Sequence, residues 1–142
     1  MSQWYVVFGA HGGIGSALSR RLAKKSADPT AAARVGLGNH EAISAAKAGI
    51  ESLTLAASAS YASKQIRVNC VAPGMTRTPL TAKLLQNEMM AKASAGMHAL
   101  GRIGEPDDVA SAIEWLLDAE QGWVTGQVIG IDGGLSRIQS RS

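Results

Sequence analysis

The pattern of apolar positions divides the chain into strands separated by helical segments. The run Trp4–Phe8 is continuously apolar and rich in aromatic and β-branched side chains, which is typical of a strand buried on both faces of a parallel sheet. It predicts a strand over residues 3–9. Residues 66–72, ended by a Pro-Gly pair, predict a second strand, and residues 124–131, closed by Asp-Gly-Gly, predict a third.

Between these strands the apolar and small residues recur at helical spacing. A first helix is predicted after the glycine segment that follows the first strand, and Pro29 lies beyond its end. A long alanine-rich helix is predicted over residues 40–64, and residues 78–95 are predicted to be mobile or to form short helices. Pro106, followed by two acidic residues, predicts the start of another helix. We therefore predict the α/β fold class.

Composition and charge exclude several classes of protein. The chain has 142 residues, of which 46% are hydrophobic and 18% charged, as expected for one globular domain. The net charge is only +3 and the basic residues are scattered, so we predict no nucleic-acid binding. The first apolar run is too short to span a membrane. Cys70 is the single cysteine, which excludes an internal disulfide and favours a cytoplasmic location.

A glycine segment lies where the first strand meets the first helix. Glycines at positions 9, 12, 13 and 15 allow a tight turn there. Such a turn lets the backbone approach a pyrophosphate, and the following helix offers free N–H groups to it. The alternative is a strand-to-helix turn that binds no ligand. The segment thus favours dinucleotide-type phosphate binding without requiring it.

Four motifs, in this order, resemble those of the short-chain dehydrogenase/reductase family. They are the glycine turn at 9–15, the strand and loop at 67–79, the Gly-Arg-Ile-Gly-Glu-Pro segment at 101–110, and the last strand with its Asp-Gly-Gly end at 124–134. The resemblance implies a doubly wound parallel sheet that binds NAD or NADP. It also implies hydride transfer to or from a carbonyl or alcohol, driven by a Ser, a Tyr and a Lys.

The chain departs from the family pattern at the catalytic helix. Lys47 occupies the position of the family's Lys, but Ile43 stands where the Tyr acid/base is expected, and Thr30 falls near the position of the Ser. Isoleucine cannot transfer a proton. His40 and Glu41 could act as acid/base groups, but we favour a solvated first helical turn there. Tyr61 is followed by Lys64, and we interpret that pair as local packing and helix termination.

Most of the middle of the family's fold is also absent. Only residues 26–29 separate the first helix from the region that resembles the Ser strand, so the expected fold is a reduced Rossmann-like sheet of about three strands flanked by helices. We predict one truncated domain over residues 1–135 and a flexible tail over 136–142. The first strand must then pair with a new neighbour or present a bare edge, which favours a homodimer or homotetramer.

Three hypotheses for function remain open. The chain is an NAD(P)-dependent oxidoreductase by lineage, with impaired or no catalysis; or a non-catalytic oligomeric remnant that binds a nucleotide or phosphate; or an internally deleted or engineered chain without a function of its own. We predict no metal site, and the small-molecule substrate is not readable. The candidate catalytic residues are Lys47 and Thr30, and the candidate cofactor-binding residues are Gly9, Gly13, Ile14, Gly15, Lys47, Pro73, Gly74 and Thr78.

Overall fold

The computed structural model describes residues 5–8 and 39–138, which form an α/β fold built on a parallel sheet. The strands are β1 (Tyr5–Phe8), β2 (Arg67–Pro73) and β3 (Val128–Ile131). They lie in the order β1-β2-β3, and both pairings are parallel. The predicted fold class and the reduced parallel sheet are therefore confirmed. The predicted first helix, before Pro29, lies outside the described residues.

The central strand β2 carries much of the core. Its residues 67–72 are all buried, and Val68 and Val71 are 1% and 2% exposed. Burial on both faces explains why this strand stays in the sheet although it contains two polar residues. Arg67 and Asn69 are buried as well, and each donates side-chain hydrogen bonds to the carbonyl of Val124.

The predicted third strand starts later than expected, because residues 124–127 approach β2 without adopting regular strand structure. Gly126 has φ of +69°, a left-handed conformation that interrupts an extended chain. The contacts to β2 are instead irregular: the Thr125 hydroxyl accepts a hydrogen bond from the N–H of Val68 at 3.1 Å. The Asn69 amide oxygen accepts one from the N–H of Gln127. The predicted strand over residues 124–131 is therefore confirmed at 128–131 and wrong at 124–127.

The long helix α1 (Glu41–Tyr61) packs on β2 and is followed by a 3-10 turn (Ala62–Lys64). The predicted helix over residues 40–64 is confirmed, with a 3-10 rather than an α-helical form at residues 62–64. Gln65 ends it in the left-handed conformation, and its N–H bonds the carbonyl of Ala62. The ammonium of Lys64 lies 5.8 Å from the ring centroid of Tyr61, so the interpretation of this pair as local packing at the helix end is confirmed.

Three further helices follow β2 in the described region. They are α2 (Ala82–Leu85), α3 (Glu88–Met97) and α4 (Pro106–Leu117). The predicted start of α4 is confirmed, and Glu105 and Asp108 form a capping box there. Among residues 5–8 and 39–138, no helix combines the length and apolar composition that a membrane crossing needs.

The turn after β3 is closed by a buried carboxylate. Asp132 accepts hydrogen bonds from the N–H of Gly134 and from the N–H and hydroxyl of Ser136. These bonds connect the beginning of the predicted tail to the sheet. Residues 139–142 lie outside the described part of the chain, so the domain and tail boundaries stay predictions.

Candidate functional site

The carboxyl ends of the three strands lie along one edge of the sheet. Phe8, the last residue of β1, is opposite Cys70, and Pro73, the last residue of β2, is opposite Ile131 at the end of β3. The N–H of Gly74 bonds the carbonyl of Ile131 at 3.1 Å, which joins the two exits. In open α/β sheets, ligands bind in the crevice outside this edge. The loops that leave it are thus the candidate site.

The predicted site residues fall into two groups. Gly9, Gly13, Ile14, Gly15 and Thr30 lie outside the described residues. The described ones are Lys47 on α1, Pro73 and Gly74 at the exit of β2, and Thr78 in the loop beyond. The structure therefore places Pro73 and Gly74 at the carboxyl edge, as a cofactor role requires.

Helix α1 carries Ile43 and Lys47 one turn apart. Residues four positions apart lie on the same helix face, and both side chains are half-buried. Glu41, at the start of the same helix, is exposed to solvent, as expected for a solvated first turn. Tyr61 is at the far end of α1, about five turns from Ile43 at about 3.6 residues per turn, and cannot replace a Tyr at position 43.

The loop after β2 is held by short-range and long-range hydrogen bonds. Met75 and Arg77 exchange backbone hydrogen bonds with Gly104, at 2.9 and 2.8 Å. The hydroxyl of Thr81 donates to the carbonyl of Thr76 at 2.7 Å and accepts from the N–H of Thr78 at 2.9 Å. These bonds fix the course of residues 74–81. They also engage both the N–H and the hydroxyl of Thr78, each of which bonds Thr81.

Gly74 is glycine because two neighbours approach its backbone closely. A Cβ at this position would lie 2.8 Å from Nε2 of His98 and 2.9 Å from Cα of Asp132. Real Cβ atoms do not approach other atoms so closely, and one of the two contacts is backbone. Gly74 therefore lets the exits of β2 and β3 come together with the His98 ring between α3 and the loop.

His98 is a residue of this site that the sequence did not predict. Its side chain is 4% exposed, and its Nε2 accepts a hydrogen bond from the N–H of Met75 at 3.2 Å. Its Nδ1 lies 2.7 Å from the carbonyl of Ser94, to which it donates. No local pattern marks this histidine, because its partner Met75 is 23 residues away in the chain.

Two ion pairs lie beside an open cleft of about 640 Å³ between α3 and the start of α4. Arg102 binds Asp108 with both ends of its guanidinium, at 2.7 and 2.8 Å, and Arg77 lies 3.1 Å from Glu105. The hydrogen bond from Arg102, and then that from the N–H of Glu105, lower the pKa of Asp108 from 3.8 to about 2. The same pairing raises the pKa of Arg102. These charges satisfy one another and fix the entry into α4.

The described residues offer no metal-binding cluster and no exposed cysteine. Within residues 5–8 and 39–138, no three His, Cys, Asp or Glu side chains are grouped so that they could hold a metal ion. Cys70 is buried in β2. The arrangement can receive a ligand at the carboxyl edge of the sheet, and Lys47 lies on α1, the helix that packs on β2.

Comparison with known proteins agrees with this geometry. A family model described as enoyl-(acyl carrier protein) reductase matches residues 29–136. Cis-4-hydroxycyclohexanecarboxylate dehydrogenase of Sinomonas cyclohexanicum is 39% identical over 104 residues, which cover 73% of this chain and 41% of that protein. A 3-oxoacyl-[acyl-carrier-protein] reductase of Thermotoga maritima is 46% identical over 91 residues, which cover 64% of this chain and 36% of that protein.

A solved structure extends the likeness to the fold. The angucycline C-6 ketoreductase LanV with bound NADP matches with a TM-score of 0.69 at 26% identity, over 75% of this chain and 40% of that one. The chain thus spans about two fifths of the length of the proteins it matches.

Proposed function

Because this chain belongs to the short-chain dehydrogenase/reductase family, we propose that it derives from an NAD(P)-dependent oxidoreductase of carbonyls and alcohols. We further propose that it keeps a dinucleotide-binding edge, while its own hydride transfer is strongly impaired. One observation carries the binding half: the exits of the parallel strands share one edge, where Pro73 and Gly74 leave β2. The glycine segment begins with the residue after Phe8, the last of β1.

The described residues fit such a cofactor. Gly74 lets the exits of β2 and β3 pack closely at the edge, and the loop beyond it is fixed by the bonds to Gly104 and Thr81. Lys47 carries the charge that, in the family, holds the ribose. A bound NAD or NADP would supply or accept the hydride. The glycine turn would bind its pyrophosphate through backbone N–H groups.

Impaired catalysis is supported by Ile43. In the family that this chain resembles, a Tyr at this position exchanges a proton with the substrate oxygen, and the Lys one turn later lowers the pKa of that Tyr. Ile43 has no ionisable group, so position 43 offers no acid/base side chain whose pKa a lysine could lower. General acid–base catalysis contributes about 10²–10⁴-fold to a rate. We expect a loss of this size.

Cofactor binding is tested by titrating the protein with NADH and NADPH and following Trp fluorescence and calorimetric heat. Gly13→Asp places a carboxylate in the glycine turn and should abolish saturable binding. Gly96→Asp is the matched control, because Gly96 is exposed on α3 with no atom within 4 Å of an added Cβ. Absence of binding at millimolar cofactor would contradict the proposal, as would equal affinity of wild type and Gly13→Asp.

The catalytic half is tested by restoring the hydroxyl. Ile43→Tyr should raise turnover at least about 100-fold over Ile43→Phe, which adds the ring without the acid/base group. The substrates to try are those that the relatives' names state, a cyclohexanol-type alcohol and a 3-oxoacyl thioester. Wild-type turnover equal to that of Ile43→Tyr would show that catalysis is not impaired. Equal turnover by Ile43→Tyr and Ile43→Phe would show that the missing hydroxyl at position 43 does not limit catalysis.

A second candidate function is a non-catalytic oligomeric module that binds a nucleotide or phosphate at its glycine turn. We propose a homodimer or homotetramer, supported by the exposed side chain of Leu55 on α1, which is 56% accessible. Light scattering tests the assembly, and a monomeric mass would contradict it. Inorganic phosphate binding without turnover in Ile43→Tyr would favour this module.

The single cysteine supports the cytoplasmic location that we also propose.

A further inference from the structure

A buried imidazole connects α3 to the loop that leaves β2. His98 follows the last residue of α3, and its ring lines a cavity of about 280 Å³ together with Gly74 and Asp132. The ring is 4% exposed, so water cannot readily replace the hydrogen bonds that its two nitrogens make. Each nitrogen bonds a backbone group, and the two backbone groups belong to different segments of the chain.

The two partners fix which nitrogen carries the hydrogen. The carbonyl of Ser94 can only accept, so Nδ1, at 2.7 Å from it, must be the donor. The N–H of Met75 can only donate, so Nε2, at 3.2 Å from it, must be the acceptor. The neutral Nδ1–H tautomer satisfies both partners at once, whereas the other tautomer and the protonated ring satisfy at most one.

The bond to Met75 acts at the candidate cofactor edge. Met75 is 5% exposed and directly follows Gly74, whose missing Cβ makes room for the His98 ring. We infer that His98 is a positioning residue: in its Nδ1–H tautomer it holds the loop at residues 73–78 in the conformation that receives the cofactor. This inference rests on the proposed function for its ligand, but the hydrogen bond itself can be measured without any ligand.

The first test uses the wild-type protein without cofactor. Nitrogen-15 NMR of the imidazole at pH 7.5 should show hydrogen on Nδ1 and none on Nε2, and the amide of Met75 should exchange slowly with solvent. An Nε2–H tautomer, or a Met75 amide that exchanges like an exposed one, would overturn the inference. This arm does not depend on a substitution that could impair folding.

The second test separates the hydrogen bond from packing. His98→Leu fills the space but accepts no hydrogen bond, whereas His98→Gln presents an amide oxygen at about the position of Nε2. An unsatisfied buried N–H is costly, so we expect the Met75 amide to exchange on the order of tenfold faster in His98→Leu. NADH affinity should fall by about tenfold, because the relaxed loop competes with the binding conformation. His98→Gln should retain most of both properties.

The outcomes distinguish this inference from the proposed function. Normal NADH binding by the wild type with unchanged affinity in His98→Leu overturns the positioning role alone. Equal losses in His98→Leu and His98→Gln also overturn it, because they indicate a packing role for the ring. Absence of NADH binding by the wild type overturns the proposed function and the cofactor role of His98 together.

Discussion

Replacing Arg67, the one charged residue of β2, by Met should destabilise the protein. Arg67 is 7% exposed at the start of the central strand, and its guanidinium donates to the carbonyls of Leu116, Asp118 and Val124 at 2.7, 3.3 and 3.2 Å. The first two carbonyls lie at the carboxyl end of α4, where helix carbonyls lack intrahelical partners and the dipole is negative. Arg67 therefore ties β2 to the end of α4.

The expected loss is about 3 kcal/mol. A hydrogen bond from a charged donor contributes about 1.5–3 kcal/mol, and only the bond to Leu116 has a short distance. Removing the guanidinium also removes the cost of burying its charge, which offsets part of the loss of the three bonds. Arg67→Lys should cost less, about 1–2 kcal/mol, because one ammonium can serve only part of the cluster.

Equilibrium urea unfolding, followed by Trp fluorescence at fixed protein concentration, measures these differences. Trp115, on α4 next to Leu116, reports on the end of the helix that Arg67 contacts. Arg77→Met is the control, because Arg77 is exposed in a surface ion pair, and its removal should change stability by no more than about 0.5 kcal/mol. A midpoint for Arg67→Met that coincides with the control would refute the reasoning.

Three further predictions concern the core, the loop exit and the charge pair of α4. Leu116→Ala should lower the free energy of unfolding by about 2–5 kcal/mol in the same urea assay, since Leu116 is 1% exposed, and a loss below 1 kcal/mol would contradict its core role. Gly74→Ala should cost about 1–3 kcal/mol because its Cβ would collide with His98; an unchanged melting temperature would count against that contact. Because the folded-state pKa of Asp108, about 2, lies below its ordinary 3.8, its pairing with Arg102 stabilises above about pH 4 and is lost as the pH falls towards 2. The difference in melting temperature between wild type and Asp108→Asn should therefore shrink from pH 5 to pH 2, and a constant difference would contradict this.

The parts of the fold that follow from local sequence could be predicted, and the parts that depend on distant contacts could not. The strand over residues 66–72 and the start of α4 at Pro106 were readable because apolar runs and helix-capping residues act over a few positions. The interruption at Gly126 was not readable, because the segment around it is held by β2. The carbonyl of Val124 is bound by Arg67 from 57 residues away.

The candidate site shows the same division. Pro73 and Gly74 were predicted from a motif and lie at the carboxyl edge of the sheet. His98 and the reason for glycine at position 74 were missed, because both depend on α3 and the exit of β3 meeting the loop after β2. A motif records which residues a loop needs, whereas the neighbours that make them necessary appear only in three dimensions.

The sheet order has a consequence for how the chain folds. Tyr5 pairs with Arg67, and Cys70 pairs with Val128. Each strand pairing therefore brings together segments that are far apart in the chain, and this costs loop-closure entropy before the first hydrogen bond between the strands forms. Proteins dominated by such distant pairings fold slowly, while helices such as α1 form on much shorter timescales. During synthesis, β2 leaves the ribosome well before β3 exists to cover one of its sides. Newly made chains should therefore expose an apolar strand for longer than a helical protein of this size.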